Sequence, residues 1–383
     1  MKSIKLYLSH YKNIRKCIGN LGNKRKTLLY TRIPFFSLIN NESFKTVVWW
    51  CVSLCEPLIS IFVATMLLPV YFVKALITKK KPIGKHLGMV EGHFLHDRSI
   101  AAGIYDDIED WVYPLFCNES LKKDDNKRNH IVFEYVTIID VFICYLKTII
   151  TVFLSIPQNR FRFIFRNYVS FEFYLFWKYL NNIPKDTTLY YVSQVDRWAV
   201  LCDNAPQEKK VLLQHGIENP TADWPIKISH TQLVYAFTPT EAKHLLHACF
   251  SINPEIRYYS PTIALTPFNK SNKPSLLIVA FPDYDKYNEE EYIIKSLYND
   301  VDIYLKLHPG KNQTTLYEKL QVKYPYNIIR EQLFPDVDVV VSYRSTLGVE
   351  YEIHKKKVFY YEECSISDVV RNIKFYLEHN DKV

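Results

Sequence analysis

The second half of the chain alternates short apolar runs with longer polar runs, and this alternation constrains the fold more than any other feature of the sequence. From about residue 186, the runs that read as strands include TTLYYVS (187–193), SLLIVAF (275–281) and VDVVVS (337–342). Strands that alternate with helical stretches of about 10 to 15 residues predict an α/β fold with a parallel sheet covered on both faces. The continuously apolar runs fit central parallel strands.

The length of the chain suggests two domains of ordinary size, or one domain with additional membrane-associated segments. Its 383 residues are 48% hydrophobic, which is enough for two cores. We expect a basic and apolar segment at 1–81, a Rossmann-like domain at 82–239 and a second Rossmann-like domain at 240–383. If the two domains face each other across a cleft, a ligand binds where the carboxyl ends of their strands line that cleft.

Positive charge is concentrated at the start of the chain. Residues 1–45 hold ten Lys and Arg against one acid, Glu42, and so carry +9, while the whole chain carries +8. The remainder is therefore close to neutral, and a uniformly basic nucleic-acid-binding protein is disfavoured. A basic arm on a neutral body is typical of attraction to an anionic membrane surface, and a solvated tail is the alternative.

An apolar segment follows at 46–73, and its only carboxyl group is Glu56. Pro57 and Pro69 are expected to kink or end a helix there. The charge-free part after Glu56 is at the short end of the ~20 residues that span a bilayer. We expect a membrane-associated helix or helical hairpin in the cytoplasmic leaflet, with a single span or a buried core helix as alternatives. The aromatic stretch 161–180 is an interfacial helix or, as we favour, a core helix.

Cysteine and histidine patterns indicate no metal site. The eight cysteines form no C-x-x-C pair, which is typical of reduced thiols in a cytosolic setting. The cluster of Glu91, His93, His96 and Asp97 lacks a full ligand set, so we expect neither a metal nor another cofactor. The chain also lacks the G-x-G-x-x-G, Walker A, G-x-S-x-G and H-E-x-x-H motifs.

Glycine is scarce, and its positions mark candidate sites. Of nine glycines, Gly216, Gly310 and Gly348 lie in the regular α/β region. Each follows a predicted strand or begins the next helix. At such places α/β proteins bind phosphates through free N–H groups and the helix dipole.

The first candidate site is LKLHPG, residues 305–310. Because alternate side chains of a strand share a face, Lys306 and His308 are expected to point the same way. Pro309 can open the next helix, and Gly310 allows a close backbone approach. This combination suits a diphosphate or phosphodiester leaving group, and an ordinary strand end with an exposed lysine is the alternative.

The second candidate site is SYRSTLGVE, residues 342–350. Ser345 or Thr346 is placed to cap the following helix, and a phosphate can bind at the same terminus. Glu350 lies one turn after Thr346 and can accept hydrogen bonds from ribose hydroxyls. The alternative is a routine helix cap followed by a surface glutamate.

The third candidate site is QHGIENP, residues 214–220, at the end of a strand in the earlier domain. A histidine such as His215 titrates near neutral pH and can act as a general base. Glu218 is the rival base, and a purely structural histidine is the alternative to both.

In order and spacing, these motifs resemble those of bacterial GT-B glycosyltransferases of surface polysaccharide synthesis. The HP at His308-Pro309 and the S-T at 345–346 are similar to paired motifs of sialyltransferases, polysialyltransferases and capsular Kdo transferases, which hold the nucleotide phosphate of a CMP-sugar. The QHG motif more distantly resembles teichoic-acid glycerophosphotransferases, whose equivalent histidine is a proposed base. The resemblance covers about 210–361. The acidic motif that supplies the base in several sialyltransferases is absent, since YDDIED (105–110) lacks its glycine, so the base stays open.

The resemblance implies a GT-B-like fold and an inverting glycosyltransferase. The enzyme would move a sugar, such as sialic acid or Kdo, from a nucleotide-sugar donor to a lipid-linked oligosaccharide or polysaccharide, in O-antigen or capsule synthesis. It would lie at the cytoplasmic face of the bacterial inner membrane, as a peripheral or monotopic protein. His215 would be the base, and Lys306, His308, Ser345 and Thr346 would stabilise the leaving phosphate without a metal. Alternatives are a CDP-glycerol-type phosphotransferase, a nucleotide-sugar 2-epimerase and a non-catalytic membrane scaffold.

Overall fold

The computed structural model divides the chain into two compact units, Met1–Tyr259 (unit 1) and Ser260–Val383 (unit 2). The residues it describes are 1–20, 42–90, 94–113, 115, 127–159, 168–218, 220–260, 263–268, 273–281, 286–307, 315–329, 333–343, 345–362 and 364–380. Both units combine helices with a parallel sheet, which confirms the predicted α/β class with two Rossmann-like domains.

Unit 1 contains α1 to α7 and β1 to β7. Its helices are α1 Lys2–Asn20, α2 Glu42–Ile77, α3 Phe94–Ala101, α4 Ile138–Asn159, α5 Val169–Asn182, α6 Arg197–Asp203 and α7 Pro239–Cys249, with a 3-10 turn at Val132–Glu134. Its strands are β1 His86–Met89, β2 Asp110–Val112, β3 Arg128–His130, β4 Thr188–Tyr191, β5 Lys210–Leu213, β6 Leu233–Ala236 and β7 Glu255–Tyr258.

The strands of unit 1 form one parallel sheet in the order β3-β2-β1-β4-β5-β6-β7. Every residue of the neighbouring strands β4 and β5 is buried, as expected of central parallel strands. The chain reverses its direction of strand addition between β1 and β4. This is the order of a doubly wound Rossmann-like sheet.

Unit 2 contains a second, smaller parallel sheet whose strand order also reverses once. Its helices are α8 Tyr287–Leu297, α9 Thr315–Lys323, α10 Thr346–Ile353 and α11 Ile366–Asn380. Its strands are β8 Leu265–Thr266, β9 Ser275–Val279, β10 Asp302–Lys306, β11 Asn327–Ile329, β12 Phe334–Pro335, β13 Val339–Ser342 and β14 Lys357–Tyr360. The main sheet is parallel, in the order β11-β10-β9-β13-β14, and β8 pairs with β12 separately.

Side chains of the central strand β9 divide between the two faces of this sheet. Leu276 and Ile278 belong to the cluster that packs under α8 and α11, while Leu277 and Val279 belong to the cluster on the opposite face. A strand that is apolar on both faces needs helices or loops on both sides. The run SLLIVAF therefore forms the middle of the sheet.

The boundary between the units lies after Tyr259 rather than at residue 240. Helix α7, capped by Thr238, leads into β7, and β7 pairs with β6 of the first sheet. Because this strand pairing closes one edge of unit 1, residues 240–259 belong to unit 1.

The start of the chain is not a free arm. Helix α1 buries Ile4, Tyr7 and Tyr11 in the main core of unit 1. Asn13 donates its side-chain amide to the backbone oxygen of Val195 at 2.9 Å. Amphipathic packing therefore accounts for α1, and the rest of the predicted arm, residues 21–41, lies outside the described residues.

The apolar segment 46–73 forms part of a single 36-residue helix, α2, which continues through Pro57 and Pro69. The two prolines therefore do not end the helix, so of the two predicted effects, a kink or an end, the second is wrong. In the aromatic stretch, 160–167 lies outside the described residues, and α5 is largely buried in the core of unit 1, as favoured from the sequence.

Candidate functional site

Each unit has a point where its strand order reverses, between β1 and β4 in unit 1 and between β9 and β13 in unit 2. In open α/β sheets, ligands bind beyond the carboxyl ends of the strands beside such a point. The sequence motifs fall at these ends, and each unit is described by itself below.

In unit 2, Lys306 is the last residue of β10, next to the central strand β9. It lies on the same strand face as Tyr304 and opposite Leu305. Its residue is 8% exposed, and its ammonium lies 5.0 Å from the centroid of the Phe334 ring. A lysine held this close to the strand end can present its charge to an anion there. The other members of the motif, His308, Pro309 and Gly310, lie outside the described residues.

Ser345 is the N-cap of α10, beside the end of β13. Its hydroxyl oxygen accepts from the backbone N–H of Gly348 at 3.1 Å and lies 2.8 Å from the hydroxyl of Ser342. Ser345, rather than Thr346, therefore caps the helix, and Thr346 is its first residue. The uncapped N–H groups of this first turn carry the positive end of the helix dipole.

The packing around Gly348 is tight. A Cβ added there would lie 3.0 Å from Cε1 of Tyr360 and 3.4 Å from Cβ of Ser342. The missing side chain lets α10 lie close against β13 and β14. Its position after a strand thus has a packing cause, and a phosphate is not needed to explain it.

Glu350 is buried, with 7% of its residue exposed. The sequence alternative of a surface glutamate is therefore wrong. The carboxyl lies one turn after Thr346 on the short helix α10. Its predicted role towards ribose hydroxyls stays a prediction.

Sequence reasoning missed Glu290, which organises the same edge of unit 2. This fully buried residue of α8 accepts from the backbone N–H of Phe281 at 2.7 Å and from the hydroxyl of Tyr361 at 3.0 Å. The hydroxyl of Tyr317 also donates to it. One carboxyl group thus joins the segments after β9 and β14 to α9. A signal was present, since Glu290 falls in the apolar stripe of α8 with Ile293, Ile294 and Leu297.

In unit 1, the QHG segment is fixed by its own glutamine. Gln214 is fully buried and donates its amide to the backbone oxygen of Gly216 at 3.0 Å. The same side chain accepts from the backbone N–H of Phe237 at 3.1 Å, at the end of β6. The backbone oxygen of Gln214 also accepts from the hydroxyl of Tyr259. The segment after β5 is therefore held rigidly beside its neighbouring strands.

Two further residues hold this segment, and neither was identified from the sequence. Arg98 of α3 donates to the backbone oxygen of His215 at 3.3 Å. Gln194, which follows β4, donates to the backbone oxygen of Gly216 at 3.5 Å. Residues from three parts of unit 1 thus converge on the turn that carries His215.

Burial lowers the pKa of His215 below its ordinary value of 6.5. The carboxyl of Asp196, the cap of α6, opposes this shift, while the guanidinium of Arg98 adds to it. The imidazole is therefore neutral at neutral pH. A neutral imidazole at a strand end is in the protonation state that a general base needs.

Glu218 is engaged with other partners. Its carboxyl accepts from the indole N–H of Trp224 at 3.2 Å and also bonds to the thiol of Cys249. Burial raises the pKa of this carboxyl above its ordinary value. Because its oxygens already serve buried groups, Glu218 is the weaker candidate for the base.

The predicted absence of a metal site is not tested directly by the structure. Within the residues that the structure describes, no group of three or more His, Cys, Asp or Glu side chains is arranged to hold a metal ion. His96 lies with its ring 4.3 Å from that of Trp111, whereas Asp97 is exposed. Glu91 and His93 lie outside the described residues.

No protein-family model matches the chain, and no curated protein matches it. Among solved structures, it is similar to TarM at 12% identity and a TM-score of 0.47, covering 77% of this chain and 92% of that one. It is similar to MurG of Acinetobacter baumannii at 11% identity and a TM-score of 0.37, covering 77% and 91%. It is similar to the wall teichoic acid polymerase TagF at 12% identity and a TM-score of 0.38, covering 79% and 78%. At TM-scores below 0.5, function has to be argued from the chain's own residues.

Proposed function

We propose that this protein is a nucleotide-sugar-dependent glycosyltransferase of bacterial surface glycan synthesis. The observation that supports it best is the set of side chains that lie at the two points where the strand order reverses. In unit 2 a lysine and a capped helix start lie at the carboxyl edge of the sheet, and in unit 1 a neutral histidine does. Glycosyl transfer uses both kinds of group, a cationic site for the leaving phosphate and a neutral base for the acceptor hydroxyl.

The leaving phosphate is assigned to unit 2. The ammonium of Lys306 supplies positive charge, and the first turn of α10 supplies N–H groups at Thr346. The hydroxyl of Ser345 uses its oxygen for the helix cap, and when Ser342 is the donor in the Ser342–Ser345 pair, the proton of Ser345 can be donated to the phosphate. His308 belongs to the same proposed site on sequence grounds. These groups stabilise the negative charge that grows on the nucleotide phosphate as the glycosidic bond breaks.

The proton of the acceptor hydroxyl is assigned to His215. As the hydroxyl oxygen attacks the anomeric carbon, the imidazole takes its proton, and the electron pair of the breaking C–O bond leaves with the phosphate. Attack opposite the leaving group inverts the anomeric centre. The hydrogen bonds to the backbone oxygens of His215 and Gly216 hold the backbone that carries the imidazole.

The proposed substrates rest on the resemblance of the sequence motifs to those of glycosyltransferases of surface polysaccharide synthesis. The donor is a nucleotide-sugar, with a CMP-sugar of sialic acid or Kdo as the first choice, and the acceptor is a lipid-linked glycan. A lipid-linked acceptor places the protein at the cytoplasmic face of the inner membrane. Transfer of this kind requires no metal, because lysine and N–H groups neutralise the phosphate.

Calorimetric titration of the whole chain with CMP, CDP and UDP tests the donor site. Loss of a charge-assisted bond costs about 1.5–3 kcal/mol, so Lys306→Met should weaken binding about tenfold to a hundredfold. Lys323→Met is the matched control, since Lys323 is an exposed lysine at the end of α9 in the same unit. Failure of all three nucleotides to bind would sink the proposal. Transfer of a phosphoryl-alditol, detected by product mass, would replace it with a phosphotransferase.

A further inference from the structure

Helices α2 and α4 lie side by side on unit 1, and each has a buried face and an exposed face. The buried face of α2 carries Glu56, Ser60, Ala64 and Tyr71. The hydroxyl of Ser60 donates to the carboxyl of Glu56 at 2.5 Å, and the two helices are joined by Thr65 and Tyr145, whose hydroxyls are 2.9 Å apart. The only carboxyl group of the apolar segment thus faces protein.

The exposed face of α2 is almost entirely apolar. Leu58 is 71% exposed, Phe62 65%, Met66 60% and Leu76 71%. Large apolar side chains that are this exposed, on successive turns of one helix, form a contiguous patch rather than the scattered surface residues of an ordinary domain.

Helix α4 extends the same kind of surface, and its sequence was not singled out. Val141, Cys144 and Val152 are buried, whereas Ile139 is 72% exposed and Phe153 59% exposed. Both helices are long and apolar enough to cross a membrane, with windows Cys55–Ile77 and Ile138–Ser155 of mean hydropathy 2.0. We name the exposed side chains Leu58, Phe62, Met66, Leu76, Ile139 and Phe153 the apolar face.

Packing within unit 1 argues against a crossing by α2. Ala64 and Tyr71 of α2 lie in the same core as Tyr7 of α1 and Leu87 of β1. One face of α2 is therefore held against its own domain. A helix with one face against its own domain and an apolar opposite face lies in the plane of the interface.

The charge around the apolar face indicates which surface it meets. Between residues 57 and 81 the chain has Lys74, Lys79, Lys80 and Lys81 and no acidic residue. All four lysines are exposed, and Lys81 also forms an ion pair with Glu134 at 3.4 Å. Lysines beside an in-plane apolar helix are attracted to anionic lipid headgroups.

We propose that the apolar face docks flat into the headgroup and acyl boundary of an anionic lipid leaflet, with α2 and α4 both in plane. This docking surface would hold the protein at the membrane, where the proposed function locates it. It rests on the geometry of unit 1 alone, so it can fail while nucleotide binding succeeds, and the reverse.

Flotation of the full chain with vesicles tests this inference. Binding is expected with mixed phosphatidylglycerol and phosphatidylcholine vesicles, and weaker binding with phosphatidylcholine alone. Phe62→Asp and Phe153→Asp, one on each helix, should each weaken binding about tenfold or more. Phe375→Asp is the matched control, because Phe375 is 62% exposed on α11 of unit 2 and should leave binding unchanged. Lys79→Gln should weaken binding to the anionic vesicles about fivefold and leave binding to neutral vesicles alone.

Several results would overturn the inference. Equal losses in Phe62→Asp and Phe375→Asp would show that the apolar face is not special. A loss in Phe62→Asp but none in Phe153→Asp would remove α4 from the docking surface. A full chain that binds no vesicles, but forms a dimer that Phe62→Asp dissociates in light scattering, would assign the apolar face to a second copy of the chain. Tryptophan-monitored urea unfolding, which reports on unit 1, checks that Phe62→Asp and Phe153→Asp remain folded.

Discussion

Glu290 offers the sharpest test of how the donor edge of unit 2 is built. Its carboxyl accepts from the N–H of Phe281 and from the hydroxyls of Tyr317 and Tyr361. Glu290→Leu removes the acceptor, because it replaces the carboxyl side chain with an apolar one of similar length. The three buried donors then lose their partner, and the segments after β9 and β14 lose their common anchor.

The magnitude follows from the bonds. A buried donor left unsatisfied costs about 1–3 kcal/mol, so three of them predict a loss of about 3–9 kcal/mol in the stability of unit 2. Glu290→Gln is milder. Its remaining oxygen can serve Phe281 and Tyr361, which share Oε1, and its amide can donate to the hydroxyl oxygen of Tyr317. A loss of about 1–2 kcal/mol is expected.

Hydrogen exchange with mass spectrometry is the suitable assay. All six tryptophans precede residue 225, so tryptophan fluorescence reports on unit 1 and not on unit 2. Amides of β9, the central strand, report the stability of unit 2. Their exchange should accelerate about a hundredfold or more in Glu290→Leu and about tenfold in Glu290→Gln. Peptides of unit 1 should keep their rates.

The neighbouring Glu291 supplies the control. It forms a surface ion pair with Lys295 at 2.8 Å, so Glu291→Gln should change stability by no more than about 0.5 kcal/mol. The reasoning is refuted if Glu290→Leu leaves β9 exchange unchanged. It is also refuted if Glu290→Leu and Glu291→Gln have equal effects.

Two further predictions concern packing and pH. Gly348→Ala places a Cβ 3.0 Å from the ring of Tyr360, so Tyr360 must shift. Overpacking costs about 1–3 kcal/mol and the helix preference of alanine offsets part of it, so we expect unit 2 to lose about 1 kcal/mol of stability. Unchanged hydrogen exchange in β13 would contradict this prediction. His130 lies 2.5 Å from Glu134 and 3.5 Å from Asp110; burial alone would lower the pKa of His130, but hydrogen bonds to Asp110 and Glu134 raise it above 6.5. Its contribution to the stability of unit 1 is therefore complete below pH 6.5 and is lost as the pH rises through the raised value. Tryptophan-monitored urea unfolding should show this slope, and an identical slope in His130→Gln would refute the role of His130.

From about residue 186, alternating runs in the sequence predicted most of the parallel strands, but β1 to β3 lie before that point and were not predicted. The sequence narrowed the helix cap to Ser345 or Thr346, and the structure shows that Ser345 is the cap. The edge strand β7 was missed because Glu255–Tyr258 is mostly exposed and polar, unlike the central strands. Ile4, Tyr7 and Tyr11 recur at a 3-to-4-residue spacing and form the apolar face that buries α1. The basic residues between them favoured a free arm instead.

Contacts between distant residues could not be read from spacing. Arg98 reaches the backbone of His215 across 117 positions of sequence. Gln194 reaches Gly216 from another strand end. Such pairs depend on which strands become neighbours, and a single sequence does not give strand order. The sequence therefore offered His215 as a candidate base, while the residues that hold its segment could not be predicted.

The transfer rate of His215→Gln tests the central claim most directly. It should be measured as release of free nucleotide from the donor, on the full chain with anionic vesicles and lipid-linked acceptor. The account predicts a rate about 10²–10⁴-fold lower, with nucleotide affinity unchanged by calorimetry. Glu218→Gln should retain most activity, and the wild-type rate should fall only as the pH drops below 6.5, since burial lowers the pKa of His215. Near-normal transfer by His215→Gln, or loss of its nucleotide binding, would contradict the account.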